Sequence, residues 1–295
     1  MKHLFIINPA AGKGNTSKII PSIKKIFDNR EDEYIIELTE YEGHATEIVK
    51  EYVSKDKYRV YSVGGDGTLN EVLNGIVNSN SSLAVIPSGT GNDFIKSITE
   101  DYKTEDILLR TIEGQEELID LATVNGRFFI NIASVGFDAE VVYNTIKFKR
   151  LPLVKGKFAY ILGILATLFT YRSRNLSIEV DDKIINVKAT LLAVANGKCY
   201  GGGMLVAPKA KVNDGVFEIC IVKHLPKLKI AGLFPLLIKG EHESMDVVSM
   251  LKGKRVKVVS DKDIAINIDG EVDKVREACF EIIPNKIEVV MPKKI

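Results

Sequence analysis

The segment Gly64–Glu71, which reads Gly-Gly-Asp-Gly-Thr-Leu-Asn-Glu, combines the residue types best suited to bind phosphate. It follows Arg59–Val63, where polar and apolar residues alternate as in a strand, and it opens a segment with apolar residues at helical spacing. Glycines let the backbone approach a ligand, and N–H groups at the start of a helix favour an anion. Asp66, which we expect to be an exposed loop carboxylate, would add a ligand for a divalent cation. The pattern indicates a kinase-like nucleotide site, although a sharp strand-to-helix turn would also need glycines.

Two further loops have the same character. Asn8–Gly14 follows the apolar run Leu4–Ile7, and Pro87–Asp93 follows Leu83–Ile86. Open α/β sheets bind ligands at the carboxyl ends of their strands, so the three loops are predicted to converge on one crevice. Structural turns have no reason to collect there, and the three loops together therefore favour a phosphate site.

Three polar segments of the second half are candidates either for chemistry or for turns. Asp269–Glu271 places two carboxylates around a glycine beside a strand, which suits proton transfer but also an Asp-Gly turn. Asn213–Gly215 has ordinary turn chemistry, and Asn196–Gly203 is a glycine-dense connection. The residues alone leave these alternatives open.

The three loops resemble the diacylglycerol kinase catalytic family, and more narrowly its soluble bacterial lipid kinases. The similarity rests on Asn8–Gly14, Gly64–Glu71 and Pro87–Phe94, and it continues past residue 190 across essentially the whole chain. Gly-Gly-Asp-Gly alone is less specific, because NAD kinases and phosphofructokinases have similar loops. The first loop is not a Walker P-loop, since Lys13 is followed by glycine rather than by Ser or Thr.

The resemblance implies roles for individual residues. Glu271 is the expected general base, Asp66 is expected to help hold catalytic Mg²⁺, and Asp269 is expected to adjust the basicity of Glu271 by like-charge repulsion. The residues expected to bind ATP are Asn8, Pro9, Ala10, Ala11, Gly12, Lys13, Thr39, Gly64, Gly65, Asp66, Gly67, Thr68, Leu69, Asn70, Glu71, Ser88, Gly89, Thr90 and Asn92.

The resemblance also implies a second metal site and a lipid site. Asp214 is expected to hold a structural Mg²⁺, assisted by the main-chain carbonyls of Lys211 and Val216, because hard oxygen ligands suit this ion. Asn196–Gly203 is a candidate wall of the lipid site.

Composition excludes several classes of protein. The 295 residues are 45% hydrophobic and 27% charged, and the net charge of +1 gives no global field that would attract nucleic acid. Cys199, Cys220 and Cys279 form no metal-type pair, which is typical of a reduced cytosolic protein, and the short apolar run at the start does not predict a secretory signal. His44 lies in a Gly-His turn before a predicted helix. The other three histidines have no Asp, Glu or Cys nearby at the spacing of metal ligands, so no metal is assigned to them.

The period of the apolar residues changes along the chain. Strand-like and helical runs alternate up to about residue 118, which predicts a mostly parallel sheet, and short strands dominate after it. Asn125-Gly126 is a two-residue hairpin signal. We therefore predict an α/β nucleotide-binding domain of the NAD kinase/diacylglycerol kinase type over 1–120, to which 285–295 is a candidate to return. A mainly antiparallel β-sandwich domain is predicted over 121–284.

The uncharged stretch Phe158–Tyr171 is shorter than the ~20 apolar residues needed to span a bilayer. A buried core helix is the favoured interpretation. Basic flanks leave a second one open, an interfacial helix that touches anionic lipid headgroups. The flanking cations are Lys147, Lys149, Arg150, Lys155, Lys157, Arg172 and Arg174.

These features predict a cytoplasmic lipid kinase, peripheral to the inner face of the membrane, that transfers the γ-phosphoryl group of ATP to a lipid hydroxyl. Diacylglycerol is the expected acceptor and phosphatidic acid the product. The alternatives are an NAD kinase-like enzyme that phosphorylates a soluble hydroxyl, and a non-catalytic lipid-binding or regulatory protein. We expect a homo-oligomer, a dimer, although no motif in the sequence indicates oligomeric state.

Overall fold

The computed structural model describes residues 1–89, 91–103, 105–149 and 156–294, apart from the side chains of Lys13, Lys149, Lys157, Phe158 and Leu228. The predicted site residue Thr90 and the flanking cations Arg150 and Lys155 therefore lie outside the described residues. The same holds for the side chains of Lys13, Lys149 and Lys157. The chain divides into two units. The first comprises Met1–Leu121, Val212–Asp214 and Pro284–Ile295, and the second comprises Ala122–Lys211 and Gly215–Ile283.

A parallel sheet forms the centre of the first unit. Its strands are β1 (Lys2–Ile7), β2 (Glu33–Leu38), β3 (Arg59–Gly64) and β4 (Ser82–Pro87). They lie in the order β2-β1-β3-β4, and all pairings are parallel. The helices are α1 (Ile20–Phe27), α2 (His44–Val53), α3 (Asp66–Ile76), α4 (Ile95–Ile98) and α5 (Ile107–Ile112). The predicted alternation of strands and helices is confirmed.

Strand β3 is buried along its whole length, because it pairs with β1 on one side and with β4 on the other. The polar residues of β3 are therefore buried together with its apolar residues. Arg59 forms an ion pair with Glu116 at 3.1 Å and donates to the Ile112 carbonyl at 2.9 Å. These partners compensate the cost of burying a charge on the strand that leads into the Gly64–Glu71 loop.

The second unit is built from antiparallel strands. They are β5 (Gln115–Val124, from Ala122 onward), β6 (Arg127–Phe129), β7 (Ile132–Gly136), β8 (Arg174–Val180), β9 (Lys183–Ala195), β10 (Phe217–Lys223), β11 (Val248–Gly253), β12 (Arg255–Ile268) and β13 (Glu271–Met291, up to Ile283). The order is β11-β10-β9-β7-β12-β13, and β8 pairs with both β9 and β12. The last residues of β13 belong to the first unit, where Val289 lies opposite Leu83 in a parallel pairing with β4.

The β5–β6 hairpin turns at Asn125 and Gly126, whose φ angles are 49° and 82°. Positive φ at both central residues defines the tight hairpin turn that an Asn-Gly pair predicts. The mainly antiparallel β-sandwich is confirmed for the second half of the chain.

The second unit has two apolar clusters. One lies among the strands and includes the stacked rings of Phe129 and Phe217. The other lies between the sheet and three helices, α6 (Phe137–Lys149), α7 (Gly156–Thr170) and α8 (Lys227–Lys239). In the described part of the chain, no helix has both the length and the apolar character needed to cross a bilayer.

Candidate active site

The three glycine loops of the first unit are tied to one another by hydrogen bonds. The N–H of Asn8 donates to the Val63 carbonyl at 3.1 Å, and its side-chain amide donates to the Thr68 hydroxyl, also at 3.1 Å. The N–H groups of Ser88 and Gly89 both donate to the Gly64 carbonyl at 2.9 Å. The loops after β1 and β4 are therefore both anchored on the loop after β3, as their positions at the strand ends predict.

Some of the glycines are required because the loops pack on each other. A Cβ on Gly12, whose φ is 57°, would collide with the Ser88 carbonyl oxygen, and one on Gly89 would collide with the Cα atom of Gly65. Gly67 differs, because among the described residues no atom beyond its chain neighbours and the backbone of its own helix lies within 4 Å of the position that its Cβ would take. The space beside the first turn of α3 is therefore open at Gly67, where a phosphate could approach the helix N-terminus.

Asp66 is the first residue of α3, and the loop after β4 holds its carboxylate. The N–H of Asp93 donates to Oδ1 of Asp66 at 2.8 Å, and a Cβ on Gly91 would collide with Oδ2. Burial, and secondly the negative charge of Asp93, raise the pKa of Asp66. The expectation of an exposed loop carboxylate is therefore wrong, because Asp66 is half-buried against the loop that contains Gly91 and Asp93.

Asp93, at the end of the third glycine loop, and Lys96 are neighbours of Asp66 that the predicted ATP set does not include. Lys96 forms an ion pair with Asp93 at 2.6 Å, and both side chains are largely buried. The Lys96 ammonium also donates to the Gly91 carbonyl at 3.2 Å. The signal that could have found this pair is the i, i+3 spacing of opposite charges directly after the glycine loop.

Four other residues of the predicted ATP set have structural partners within the first unit. The N–H of Thr39 donates to the Ile7 carbonyl at 2.9 Å, and the Glu71 carboxylate accepts the Ala45 N–H at 3.2 Å, which joins α3 to α2. Leu69 and Asn70 are buried on α3. Their contact with a nucleotide stays a prediction.

In the second unit, Asp269 lies in the tight turn between β12 and β13. Asp269 and Gly270 have φ angles of 49° and 100°. The Asp269 carboxylate accepts three successive backbone N–H groups, from Ile130 at 2.8 Å, Asn131 at 3.2 Å and Ile132 at 3.0 Å. Asp269 therefore anchors the segment that leads into β7, whereas an electrostatic effect on Glu271 stays a prediction.

Glu271 is the first residue of β13 and forms an ion pair with Arg127 of β6. Each side chain is 39% exposed, so the pair lies at the surface of the second unit. The sequence patterns missed Arg127, because its pairing with Glu271 depends on two hairpins that are distant in the chain. The Asn125-Gly126 turn places Arg127 on a strand but does not indicate its partner.

The glycine-dense stretch Asn196–Gly203 is attached to the segment that Asp269 anchors. The Asn196 side chain donates to the Ile130 carbonyl at 2.8 Å, and the Asn131 side chain donates to the Cys199 carbonyl at 3.0 Å. The stretch is thus a fixed part of the second unit rather than a mobile connection.

A buried carboxyl lies beside the same stretch. Asp138, at the start of α6, accepts a hydrogen bond from Ser134, and burial raises its pKa. Burial likewise holds the pKa of the neighbouring Tyr200 well above its ordinary value. Burial thus disfavours the charged form of both groups.

The two predicted Mg²⁺ sites differ in the donor atoms that they offer. Asp66 offers a partly desolvated carboxylate next to the carboxylate of Asp93. A divalent cation bound there would compensate the negative charge of the two groups. The exposed Asp214 belongs to the first unit, whereas Lys211 and Val216 belong to the second. One carboxylate and two carbonyls are oxygen donors of the kind that Mg²⁺ accepts together with water. Among the described residues, no group of three or more His, Cys, Asp or Glu side chains forms a metal site.

Comparison with known proteins supports the same interpretation. The diacylglycerol kinase catalytic domain model matches residues 2–124, and the YegS C-terminal NAD kinase beta sandwich-like domain model matches residues 131–291. A diacylglycerol kinase of Bacillus subtilis is 32% identical over 98% of this chain and 96% of its own length. One of Staphylococcus saprophyticus is 30% identical over 99% of this chain and 95% of its own length.

The fold agrees with that of a solved relative. A crystal structure from Bacillus anthracis, described as that of a proposed diacylglycerol kinase, superposes with a TM-score of 0.77 at 26% identity. The match covers 98% of this chain and 95% of the other. The two domain matches, the relatives along nearly the full length and the shared fold show that this chain belongs to the diacylglycerol kinase catalytic-domain family.

Proposed function

We propose that this chain is a lipid kinase that transfers the γ-phosphoryl group of ATP to the hydroxyl of diacylglycerol and yields phosphatidic acid. The observation that carries the proposal is the set of three glycine loops, joined by hydrogen bonds around the Asp66 carboxylate at the start of α3. The names of the relatives matched along nearly the whole chain support the choice of a lipid acceptor.

The first unit would bind the nucleotide. The open space at Gly67 and the N–H groups at the start of α3 suit phosphate oxygens. Asp66 would hold the catalytic Mg²⁺, and Lys96 would keep the neighbouring Asp93 neutralised. Bound there, Mg²⁺ would neutralise charge on the phosphate oxygens during transfer.

The second unit would supply the proton acceptor. Glu271 would take the proton of the lipid hydroxyl while that oxygen forms a bond to the γ-phosphorus. The bond between the γ-phosphorus and the β,γ-bridging oxygen breaks, and ADP leaves with the electron pair. Arg127 and Asp269 would act as positioning residues, the first by holding the Glu271 carboxylate and the second by anchoring the turn before it.

Two further parts of the proposal follow from the family resemblance. Asp214, with the carbonyls of Lys211 and Val216, would hold a structural Mg²⁺ that orders its loop. The enzyme would work as a peripheral protein at the cytoplasmic face of a membrane, where its acceptor is dissolved, and it would form a homodimer.

The test is ATP turnover with Mg²⁺ in the presence of either detergent-dispersed diacylglycerol or NAD. We expect ADP and phosphatidic acid from the lipid and no product from NAD. Turnover with NAD alone would favour the NAD kinase-like alternative. ATP binding without turnover on either acceptor would favour a non-catalytic protein.

Glu271→Gln tests the proton acceptor in the same assay. Removal of the base should lower kcat by about a hundred- to ten-thousandfold, while ATP affinity stays near wild type. Glu281→Gln is the matched control, since it changes an exposed glutamate on the same strand and should keep full activity. A Glu271→Gln variant with normal kcat would remove Glu271 from the mechanism.

A further inference from the structure

Three large apolar side chains form an exposed stripe on α7. Ile161, Leu165 and Phe169 are 51%, 46% and 72% exposed, and their spacing of four residues places them on successive turns of one helix face. Single exposed apolar residues are ordinary on a protein surface, but a continuous row marks a surface that binds something.

The opposite face of α7 is firmly packed, so the stripe cannot turn inward. Gly163 is buried against α6, where a Cβ would collide with the Thr145 hydroxyl. The Asn144 side chain donates to the Thr167 hydroxyl at 2.9 Å. The core-helix interpretation of this segment is therefore correct for one face only, and the other face is left exposed.

The charged residues of α7 and α8 themselves have one sign. Neither α7 nor α8 contains an Asp or a Glu. The exposed Arg172 follows α7, and Lys229 is exposed on α8. Lys227, at the start of α8, donates a hydrogen bond to the Phe169 carbonyl, which places an ammonium group at the end of the stripe. An apolar row beside cations, on helices that carry no carboxylate of their own, is complementary to an anionic bilayer surface.

We propose that the α7 stripe, defined as Ile161, Leu165 and Phe169, together with Arg172 and Lys227 docks this enzyme onto an anionic membrane. The three apolar side chains enter the boundary between headgroups and acyl chains, and the two cations contact lipid phosphates. The inference deepens the proposed function and rests on it, because a kinase needs this contact only if its acceptor lies in a bilayer.

A second copy of the chain is the competing occupant of the stripe. In a two-fold symmetric pair the same surface meets itself, so Arg172 and Lys227 of both copies would be brought into one interface. The repulsion among these cations, with no carboxylate on α7 or α8 to relieve it, favours the bilayer.

The test is sedimentation with vesicles of phosphatidylcholine, with and without phosphatidylglycerol, in the absence of ATP. Wild type should bind the anionic vesicles and be released by salt. The variant Ile161→Gln/Leu165→Gln/Phe169→Gln should bind at least about tenfold more weakly. Arg172→Gln and Lys227→Gln should each weaken binding about fivefold at low salt. The matched control is Ile184→Gln, which removes an apolar side chain that is 68% exposed on β9 and should bind like wild type.

Turnover of a short-chain, detergent-dispersed diacylglycerol separates this inference from the proposed function. The triple variant should keep that activity, which also shows that it is folded. Wild-type vesicle binding by an active triple variant would overturn the docking surface and leave the kinase proposal intact. Failure of wild type to bind anionic vesicles would also overturn it. So would a triple variant that binds vesicles like wild type but has a lower oligomeric mass in light scattering, because the stripe would then be a contact between two copies of the chain.

Discussion

Asp66 in the first unit and Asp269 in the second are both aspartates beside a glycine, but their surroundings differ. Asp66 is covered by a loop and lies close to a second acidic residue, Asp93, and burial raises its pKa. Asp269 accepts three consecutive backbone N–H groups. Ionisation of Asp66 therefore lowers the stability of the fold, whereas the hydrogen bonds that Asp269 accepts raise it.

The difference indicates how function and structure are divided between the two residues. A carboxylate that is desolvated beside a like charge is kept in a protein when a ligand, such as a cation, compensates it. A carboxylate that satisfies several N–H groups needs no ligand to explain it. We therefore assign the chemical role to Asp66 and the positioning role to Asp269. Substitutions at these two residues, and at the second positioning residue Arg127, test the division.

Asp66→Asn should have the largest effect on activity. Loss of the charge that would hold Mg²⁺ should lower turnover by about a hundred- to ten-thousandfold. The asparagine carbonyl can still accept the Asp93 N–H, so the fold should persist. A near-normal kcat would contradict the role of Asp66.

The same variant has an expected pH dependence of stability. Because the pKa of Asp66 is raised in the folded state, the folded protein binds this proton more tightly than the unfolded chain does. Wild-type stability therefore falls as pH rises from about 4, the ordinary value for aspartate, through the raised pKa. Asp66→Asn should have an equal or higher Tm at pH near 7, and the difference should vanish below pH about 4. A lower Tm at neutral pH would contradict the direction of the shift.

Asp269→Ala should have the largest effect on stability. It leaves three backbone N–H groups without their acceptor, which should cost about 2–5 kcal/mol, measured by denaturant unfolding. Asp269→Asn keeps one acceptor oxygen and tolerates the positive φ of 49° at this position, so its loss should be smaller. Asp182→Ala, in an exposed turn, is the control and should change stability little. A well-folded Asp269→Asn variant that loses most of its activity would give Asp269 a chemical role.

Arg127→Gln should have the smallest effect. Its ion pair with Glu271 is partly exposed, so stability should change by less than about 1 kcal/mol. Turnover should fall by about tenfold or less, because the proton acceptor remains but is held less firmly. Arg127→Lys should recover part of that loss. A loss as large as that of Glu271→Gln would place Arg127 among the groups that contact the substrate.

Local patterns predicted most of the fold. The alternation of strands and helices identified the parallel sheet of the first unit, and Asn125-Gly126 identified the β5–β6 hairpin. Both are short-range signals, in which neighbouring residues determine the backbone conformation. The joining of the three glycine loops was also predictable, since parallel strands place their carboxyl ends at one edge.

The environment of the side chains was not predictable in the same way. The loop that covers Asp66 is distant in sequence, and its Asp93 N–H reaches the carboxylate only in the folded chain. Arg127 and Glu271 are separated by 144 positions. Burial and pairing of this kind depend on which elements become neighbours, which a local pattern does not encode.

The sequence by itself determined the family of this protein, because the glycines and the aspartate that identify it lie in short segments at the ends of strands. Only the tertiary structure decided which carboxylate is desolvated and which is satisfied, and which face of α7 is exposed. The physical reason is that desolvation and hydrogen bonding depend on atoms brought together from distant parts of the chain.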